Sequence, residues 1–240
     1  MAPSVAKKKP APATATTKKH DGDDFRAPGV LSFVSKLMAR EDDALRSIRE
    51  NTVKDGLPPI SVGPDEGKIL ELLVRTCGAK KAVEVGTLAG YSGAWIARAL
   101  PGDGVLHTFE YSPKHAAVAR RNFERAGVAS KVTVHVGAAR ETLPEIGHLA
   151  PFDFVFIDAD KVNYVHYMRW AIEHTRPGAL IVADNAYLFG KLHLEPAKAG
   201  EDAPAVPSMR ETLTLMADTS LFRSCAMLPT GQGMAVAVRK

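Results

Sequence analysis

Two apolar stretches of the sequence each end in side chains that could bind a metal ion. Residues 152–157, Phe-Asp-Phe-Val-Phe-Ile, lead into Asp158, and residues 179–183, Ala-Leu-Ile-Val-Ala, lead into Asp184 and Asn185. Short apolar runs of this kind are typical of strands buried on both faces of a parallel sheet. The carboxyl ends of such strands meet at one edge, where open α/β folds bind their ligands. The sequence therefore predicts a ligand site at this edge.

Two carboxylates and an amide oxygen are a suitable ligand set for a hard divalent cation. Mg²⁺ fits best, and Ca²⁺ or Mn²⁺ would also bind such oxygens. If a substrate with two adjacent hydroxyls binds there, both of its oxygens could chelate the ion. The ion would then lower the pKa of the hydroxyl that reacts. Lys161 could then accept the proton, or it could simply form an ion pair with Asp158 or Asp160. Either Asp alone would equally suit a helix N-cap, but the residues together favour a metal site.

A glycine-containing loop follows the predicted strand at residues 82–85. Gly86 and Gly90 would let the backbone turn sharply and approach a ligand. Glu110 ends the next predicted strand, where it could accept hydrogen bonds from a ribose. The glycines are spaced more widely than in Gly-x-Gly-x-x-Gly, and Glu84 would repel a phosphate. The pattern favours a nucleoside with a cationic group and no phosphates, which describes S-adenosylmethionine.

Strands and helices are predicted to alternate through most of the chain. Strand candidates lie at 82–85, 105–110, 132–136, 153–158 and 179–183, with helices at 91–100, 113–126, 138–147 and 162–175 between them. This alternation predicts an α/β fold with a mostly parallel, doubly wound sheet. A helix near 208–218 precedes two strand candidates, at 221–228 and 233–239. The short turn between those strands predicts a C-terminal antiparallel hairpin.

The N-terminal part of the sequence differs from the rest. Residues 1–25 are rich in Ala, Pro, Thr and Lys, which predicts a disordered basic tail before a single domain at 26–240. Five of the 31 basic residues and no acid lie in the first 20 positions, so the remainder has 26 basic and 27 acidic residues. The tail could bind nucleic acid, although a solvated tail is the expected state. Apolar residues at helical spacing also predict one amphipathic helix over 30–49.

Cysteine usage and hydropathy indicate the compartment. The two cysteines, Cys77 and Cys225, form neither a disulfide framework nor a metal-binding motif, which fits a reducing cytoplasm. No apolar stretch is long enough to cross a membrane. We therefore expect a cytoplasmic protein without a membrane partner.

Three segments resemble the cation-dependent O-methyltransferases typified by the caffeoyl-CoA and catechol enzymes. They are Glu-Val-Gly-Thr-Leu-Ala-Gly-Tyr-Ser from Glu84, Asp-Ala-Asp-Lys-Val-Asn-Tyr from Asp158, and Ala-Asp-Asn from Ala183. The resemblance extends from about residue 30 to the C-terminus. It implies a Rossmann-like class I methyltransferase fold and a homodimer.

The resemblance also implies roles for individual residues. The metal ligands would be Asp158, Asp184 and Asn185, and catalysis would involve Lys161 together with Asp158. Contacts to S-adenosylmethionine would come from Val62, Glu84, Gly86, Ser92, Glu110, Ala139, Asp158 and Asp160. The plant enzymes have a Trp soon after Asp-Asn, where this chain has Leu188. Tyr187 or Phe189 could stack on the acceptor ring instead, or could be core or dimer residues.

We interpret the chain as a metal-dependent O-methyltransferase that uses S-adenosylmethionine to methylate a hydroxyl of a small, catechol-like aromatic. The alternative acceptor is a hydroxylated wobble base of tRNA, whose phosphates the lysine-rich tail could bind. A dinucleotide-dependent oxidoreductase is disfavoured by the wide glycine spacing. A non-catalytic nucleotide-binding module is disfavoured by the predicted metal ligands.

Overall fold

The protein is built around one seven-stranded sheet. The structure, a computed structural model, describes residues 27–240, so the predicted tail at 1–25 lies outside the described residues. The strands are β1 (Lys81–Val85), β2 (Val105–Glu110), β3 (Val132–Val136), β4 (Phe152–Ile157), β5 (Thr175–Ala183), β6 (Phe222–Leu228) and β7 (Met234–Arg239). Their order is β3-β2-β1-β4-β5-β7-β6. The first five strands are parallel, β7 is antiparallel to β5, and β6 is antiparallel to β7.

Helices cover both faces of the sheet. They are α1 (Pro28–Met38), α2 (Asp43–Asn51), α3 (Pro64–Thr76), α4 (Tyr91–Ala99), α5 (Pro113–Arg125), α6 (Ala139–Thr142), α7 (Tyr164–His174) and α8 (Ala205–Ala217). Side chains of α2 to α5 pack on one face, and those of α7 and α8 pack on the other. The predicted doubly wound sheet with a C-terminal antiparallel hairpin is confirmed. None of the helices in the described part of the chain is long and apolar enough to span a membrane.

The central strand β4 is apolar because it contributes to both cores. Phe154 and Phe156 pack on the face of α3 and α4, whereas Val155 and Ile157 pack on the face of α7. All four side chains are fully buried. Burial of each contributes about 1.5–3 kcal/mol to the hydrophobic stabilisation. A strand with two buried faces cannot alternate between polar and apolar residues, which explains its continuous apolar sequence.

The single helix predicted over 30–49 is wrong, because the chain forms two helices there. Asp42 caps α2 by accepting a hydrogen bond from the backbone N–H of Leu45, at 2.9 Å. Glu41 in the same break binds Arg49 and accepts a hydrogen bond from the Tyr91 hydroxyl at 2.8 Å. The acids at the break therefore connect the N-terminal helices to the start of α4.

The helix predicted over 138–147 is also shorter than expected. It ends as α6 at Thr142 and continues as 3₁₀ helix over Leu143–Leu149. Pro144 lies at this transition, where it lacks the N–H that a continuing α-helix requires. The helix predicted near 208–218 instead begins at Ala205, and β5 begins at Thr175 rather than at residue 179.

Two histidines form a half-buried pair on β2 and β3. The distance between His107 Nδ1 and His135 Nε2 is 3.0 Å, and the His135 ring stacks on Phe109 with centroids 4.6 Å apart. Burial and the neighbouring His135 lower the pKa of His107 from its usual 6.5 to about 4. The folded protein therefore favours the neutral form of His107.

We expect His107 to make the fold sensitive to acid. Its folded-state pKa is depressed, so its contribution to stability is present above pH 6.5 and is lost as pH falls from 6.5 toward about 4. After allowance for partial exposure, this contribution is about 1 kcal/mol between pH 7 and pH 5. The loss of unfolding free energy between these pH values should be smaller in His107→Phe than in wild type, as measured by urea denaturation.

The buried carboxyls contribute to the pH dependence of stability in both proteins. The difference in pH dependence between wild type and His107→Phe therefore reports the contribution of His107 alone. Substitution of the exposed His148 by Asn serves as the control and should leave the pH dependence of wild type unchanged. Identical pH dependence in wild type and His107→Phe would contradict this account.

Candidate active site

The carboxyl ends of three neighbouring strands lie in one row. The register pairs Val85 of β1 with Ile157 of β4, and Ile157 with Ala183 of β5. The backbone bonds continue one residue further, since Asp158 N donates to Val85 O at 2.8 Å and Asp184 N donates to Ile157 O at 3.0 Å. Asp158 and Asp184 are therefore adjacent, as the sequence predicted.

Gly86 is required by the close approach of β1 and β4. Its φ is +101°, and a Cβ atom there would lie 1.9 Å from the carbonyl oxygen of Asp158. No residue with a side chain fits at this distance without movement of the backbone. The glycine thus allows the loop after β1 to pass directly beside the acidic end of β4.

A cavity of about 540 Å³ opens above these strand ends. Seven of the eight residues expected to contact S-adenosylmethionine line it: Val62, Gly86, Ser92, Glu110, Ala139, Asp158 and Asp160. Other lining residues that the sequence analysis did not single out are Leu88, Tyr111, His115 and Tyr167. Leu88 lies within the quoted segment from Glu84 but was assigned no role, and no quoted motif contains Tyr111, His115 or Tyr167.

Glu110 and Glu84 have different surroundings. The carboxylate of Glu110 lines the cavity and accepts backbone hydrogen bonds from Leu88 at 2.8 Å and from Ser112 at 2.9 Å. Glu84 is fully buried and is absent from the cavity lining; Ser92 Oγ donates to it at 2.5 Å and Thr108 Oγ1 at 2.6 Å. Burial raises the pKa of Glu84 to about 8. Glu84 therefore stabilises the loop after β1 through buried hydrogen bonds and does not line the cavity.

Asp160 is fixed by two neighbours on the following helical segment. Tyr167 donates its hydroxyl hydrogen to Asp160 Oδ1 at 2.6 Å, and the Asn163 amide donates to Oδ2. All three residues line the larger cavity. The carboxylate of Asp160 is thus held in one orientation at the cavity wall.

Asp184 is the least satisfied acid of this edge. It is 3% exposed, and its Oδ1 atom is buried without a hydrogen-bond partner among the described residues. Burial first, and then the charge of Asp158, raise the pKa of Asp184 to about 7. A buried oxygen without a donor is unfavourable unless a ligand binds there.

Lys161 links the two acidic strand ends through a tyrosine. Its Nζ donates to Asp158 Oδ1 at 2.9 Å and to the Tyr164 hydroxyl at 2.7 Å. Tyr164 in turn donates to the backbone oxygen of Asp184 at 3.1 Å. Tyr164 is the last residue of the Asp-Ala-Asp-Lys-Val-Asn-Tyr segment, and the sequence alone predicted no role for it. The spacing from Lys161, three residues along a helical turn, is the feature that could have identified it.

A second cavity of about 360 Å³ adjoins the first. Ile60, Ser61, Val62 and Ala159 line both cavities. The smaller cavity is further lined by Glu66, Lys161, Asp184, Asn185, Phe189 and Gln232. A methyl donor in the larger cavity and an acceptor in the smaller one would meet beside the predicted metal ligands.

The residues at this edge fit a divalent cation. Asp158 and Asp184 supply carboxylates, Asn185 supplies an amide, and the buried Oδ1 of Asp184 has no hydrogen-bond partner among the described residues. Among residues 27–240 no group of three or more His, Cys, Asp or Glu side chains could hold a metal ion. A site here would therefore rely on the amide of Asn185 as its third protein ligand.

The segment after Asn185 has an uncommon backbone. Asn185, Leu188 and Phe189 all have φ near +50°, which is unfavourable for residues with a Cβ atom. The turn between β6 and β7 holds this segment, since Ala186 N donates to Gly233 O at 2.8 Å and Tyr187 N donates to Gln232 O at 3.0 Å. The hairpin thus fixes the backbone beside a predicted metal ligand.

Comparison with known proteins identifies the family. A model of the O-methyltransferase family matches residues 35–240. The chain belongs to the O-methyltransferase family. It is an enzyme that uses S-adenosylmethionine as methyl donor.

Curated relatives of this O-methyltransferase cover most of its length. It is 43% identical over 214 residues to a catechol O-methyltransferase of Niastella koreensis, covering 87% of this chain and 95% of the relative. It is 42% identical over 205 residues to a catechol O-methyltransferase of Mycobacterium tuberculosis, covering 85% and 90%.

Solved structures of O-methyltransferases share the fold and bind the cofactor or its product. The Bacillus cereus O-methyltransferase in complex with SAH is 36% identical, with a TM-score of 0.81 over 88% of this chain and 97% of that chain. TomG from Streptomyces achromogenes in complex with SAM is 34% identical, with a TM-score of 0.79 over 88% and 96%.

We expect Gly233 to be required for the order of the segment after Asn185. Gly233 has φ +76°, and a Cβ there would lie 2.7 Å from the ring of Tyr187. Gly233→Ala should therefore lower the unfolding free energy by about 1–3 kcal/mol. It should also accelerate amide hydrogen exchange over residues 186–192 and leave S-adenosylmethionine affinity unchanged in calorimetric titration.

Gly231 offers a matched control in the same turn. Its backbone lies outside the left-handed region, and an added Cβ would meet nothing within 4 Å. Gly231→Ala should change neither stability nor exchange. Equal effects of the two alanine substitutions would contradict a specific role of Gly233.

Proposed function

We propose that this O-methyltransferase methylates one hydroxyl of a small aromatic acceptor with two adjacent hydroxyls, with the help of a divalent cation held by Asp158, Asp184 and Asn185. The observation that carries the proposal is the buried, unpartnered Oδ1 of Asp184 beside a second carboxylate. The names of the two catechol O-methyltransferase relatives support the acceptor class.

The larger cavity suits the methyl donor. Glu110 is anchored by two backbone N–H groups and retains lone pairs for the ribose hydroxyls. Asp160 and Asp158 add negative charge to the lining, which favours the cationic amino and sulfonium groups of the donor. S-adenosylmethionine supplies the methyl group, whose bond to sulfur breaks as a bond to the acceptor oxygen forms.

The smaller cavity suits an aromatic acceptor. Ile60 and Phe189 provide apolar side chains, and the polar groups are concentrated at the strand ends. A phenol titrates near pH 10, so an acceptor hydroxyl must lose its proton for efficient transfer. A cation bound by the two carboxylates would lower the pKa of that hydroxyl and fix its direction.

In this proposal Lys161 is the protein group that accepts the proton from the acceptor hydroxyl. Two N–H groups of the Lys161 amine donate to Asp158 and to the Tyr164 hydroxyl. The third position on Nζ therefore remains for the acceptor hydroxyl. Tyr164 stabilises this orientation because its own hydrogen is engaged by the backbone of Asp184. Adjacent cavities bring donor and acceptor together in a fixed arrangement, which lowers the entropic part of the barrier.

We expect removal of the cation to abolish turnover without unfolding the protein. EDTA should stop methyl transfer to catechol, and Mg²⁺ should restore it. Asp184→Asn should remain folded, since loss of the charge relieves repulsion from Asp158. It should still bind S-adenosylmethionine in calorimetric titration, but its kcat should fall by about 10²-fold or more.

A binding readout separates the metal site from catalysis. Mg²⁺ should raise the melting temperature of wild type by linkage and should not raise that of Asp184→Asn. Asp103→Asn, which removes an exposed acid paired with Lys80, should behave as wild type in all assays. Full activity of wild type after exhaustive dialysis against EDTA would refute the metal mechanism. A parallel assay with bulk tRNA tests the alternative acceptor.

The N-terminal helix supports the proposal of a homodimer. Helix α1 has no buried residue, and its apolar side chains Leu31, Phe33, Leu37 and Met38 are all exposed in the single chain. An exposed apolar patch of this kind is typical of a protein interface. Light scattering should give about twice 25.8 kDa. Phe33→Glu should give the monomer mass, whereas Val53→Glu, at an exposed position outside α1, should not.

A further inference from the structure

Glu66 is an acidic residue of the acceptor cavity that the proposed chemistry does not use. It is the third residue of α3, and its Oε2 atom accepts a hydrogen bond from the backbone N–H of Gly63 at 2.8 Å. This capping bond fixes the direction of the carboxylate. Glu66 is half-buried and lines the smaller cavity together with Asp184 and Lys161.

The charge of Glu66 is not neutralised by a protein cation. No lysine, arginine or histidine in the described part of the chain forms an ion pair with it. It lines the same cavity as Asp184 and Asn185 at the strand ends, so its charge acts on a ligand bound there. Lys161 is the single cationic residue of the cavity lining, and its amine is already bonded to Asp158 and Tyr164.

The other residues that line the smaller cavity cannot neutralise the charge of an anionic ligand. Ile60 and Phe189 are apolar, Gln232 and Ser61 are neutral, and the lining contains no arginine. A carboxylate on the acceptor would therefore meet Glu66 without a free cationic partner. An ammonium group on the acceptor would instead be attracted by Glu66. The other acid of this cavity, Asp184, would be occupied by the proposed metal ion.

We propose that Glu66 is a specificity-determining residue that selects acceptors with a cationic ring substituent over acceptors with an anionic one. The proposal rests on the proposed function, because it concerns a substituent on the catechol-like acceptor. The preferred substrate class is a vicinal dihydroxy aromatic with a protonated amine on a short side chain. Acceptors extended by a carboxylate or a phosphate are disfavoured.

Three acceptors of equal size test this selectivity. They are catechols with an aminoethyl, a carboxyethyl or an ethyl substituent, which differ mainly in charge at neutral pH. The measured quantity is kcat/KM for each acceptor with saturating S-adenosylmethionine and Mg²⁺, and turnover of the ethyl compound is the reference. In wild type we expect the aminoethyl compound to exceed the carboxyethyl compound by about tenfold or more.

Glu66→Gln removes the charge and keeps an oxygen that can accept the hydrogen bond from Gly63. The ratio of aminoethyl to carboxyethyl turnover should then fall by about tenfold. Asp65→Asn is the matched control, because Asp65 is the preceding, exposed acid in the same helical turn and lies outside both cavity linings. Asp65→Asn should keep the wild-type ratio.

The outcomes separate the two proposals. If wild type methylates the ethyl compound but prefers the carboxyethyl compound, the role of Glu66 is refuted and the proposed function stands. The same holds if Glu66→Gln keeps the wild-type ratio, or if Asp65→Asn changes it equally. If wild type methylates none of the three catechols, both proposals are refuted.

Discussion

The contact between the ends of β1 and β4 is the constraint on which the rest of the site depends. The backbone of Gly86 lies so close to the carbonyl of Asp158 that even a methyl group would not fit between them. This approach lets the loop after β1 form one wall of the larger cavity while Asp158 forms another. Because β4 and β5 are paired in parallel, the same row continues to Asp184, the residue directly after β5. The two cavities are thereby adjacent.

Hydrogen bonding distinguishes two buried acids of this edge, Glu84 and Asp184. Glu84 is fully buried, and both of its carboxylate oxygens accept hydrogen bonds from hydroxyls, so its surroundings are complete without a ligand. Asp184 is almost as buried but has an oxygen without a partner. Burial raises the pKa of both groups. The difference in hydrogen bonding, rather than the shift in pKa, is therefore what supports Asp184 as a ligand of the proposed cation.

Two elements distant in sequence complete the smaller cavity. The turn between β6 and β7 binds the backbone of Ala186 and Tyr187, which carries the left-handed residues beside Asn185. Helix α3 supplies Glu66 from the other side of the cavity. Backbone conformations of this kind persist where surrounding contacts hold them, and here they lie next to the predicted metal ligands. The C-terminal hairpin thus supports the site as well as closing the sheet.

The sequence by itself determined the architecture and most of the lining of the larger cavity. Continuous apolar runs and their spacing predicted the strands, and the position of Glu110 and Gly86 at strand ends predicted their place beside one cavity. Such features are local, because a strand end and a glycine turn depend on neighbouring residues. The division of the N-terminal helix was not predicted, since the hydrophobic period continues across the break, where Asp42 caps the second helix and Glu41 binds the distant Tyr91. Only the tertiary structure separated Glu84 from the lining of the larger cavity, brought Glu66 and Gln232 into the smaller one, and paired Tyr164 with Lys161. These placements depend on packing between segments far apart in the chain, which no local pattern specifies.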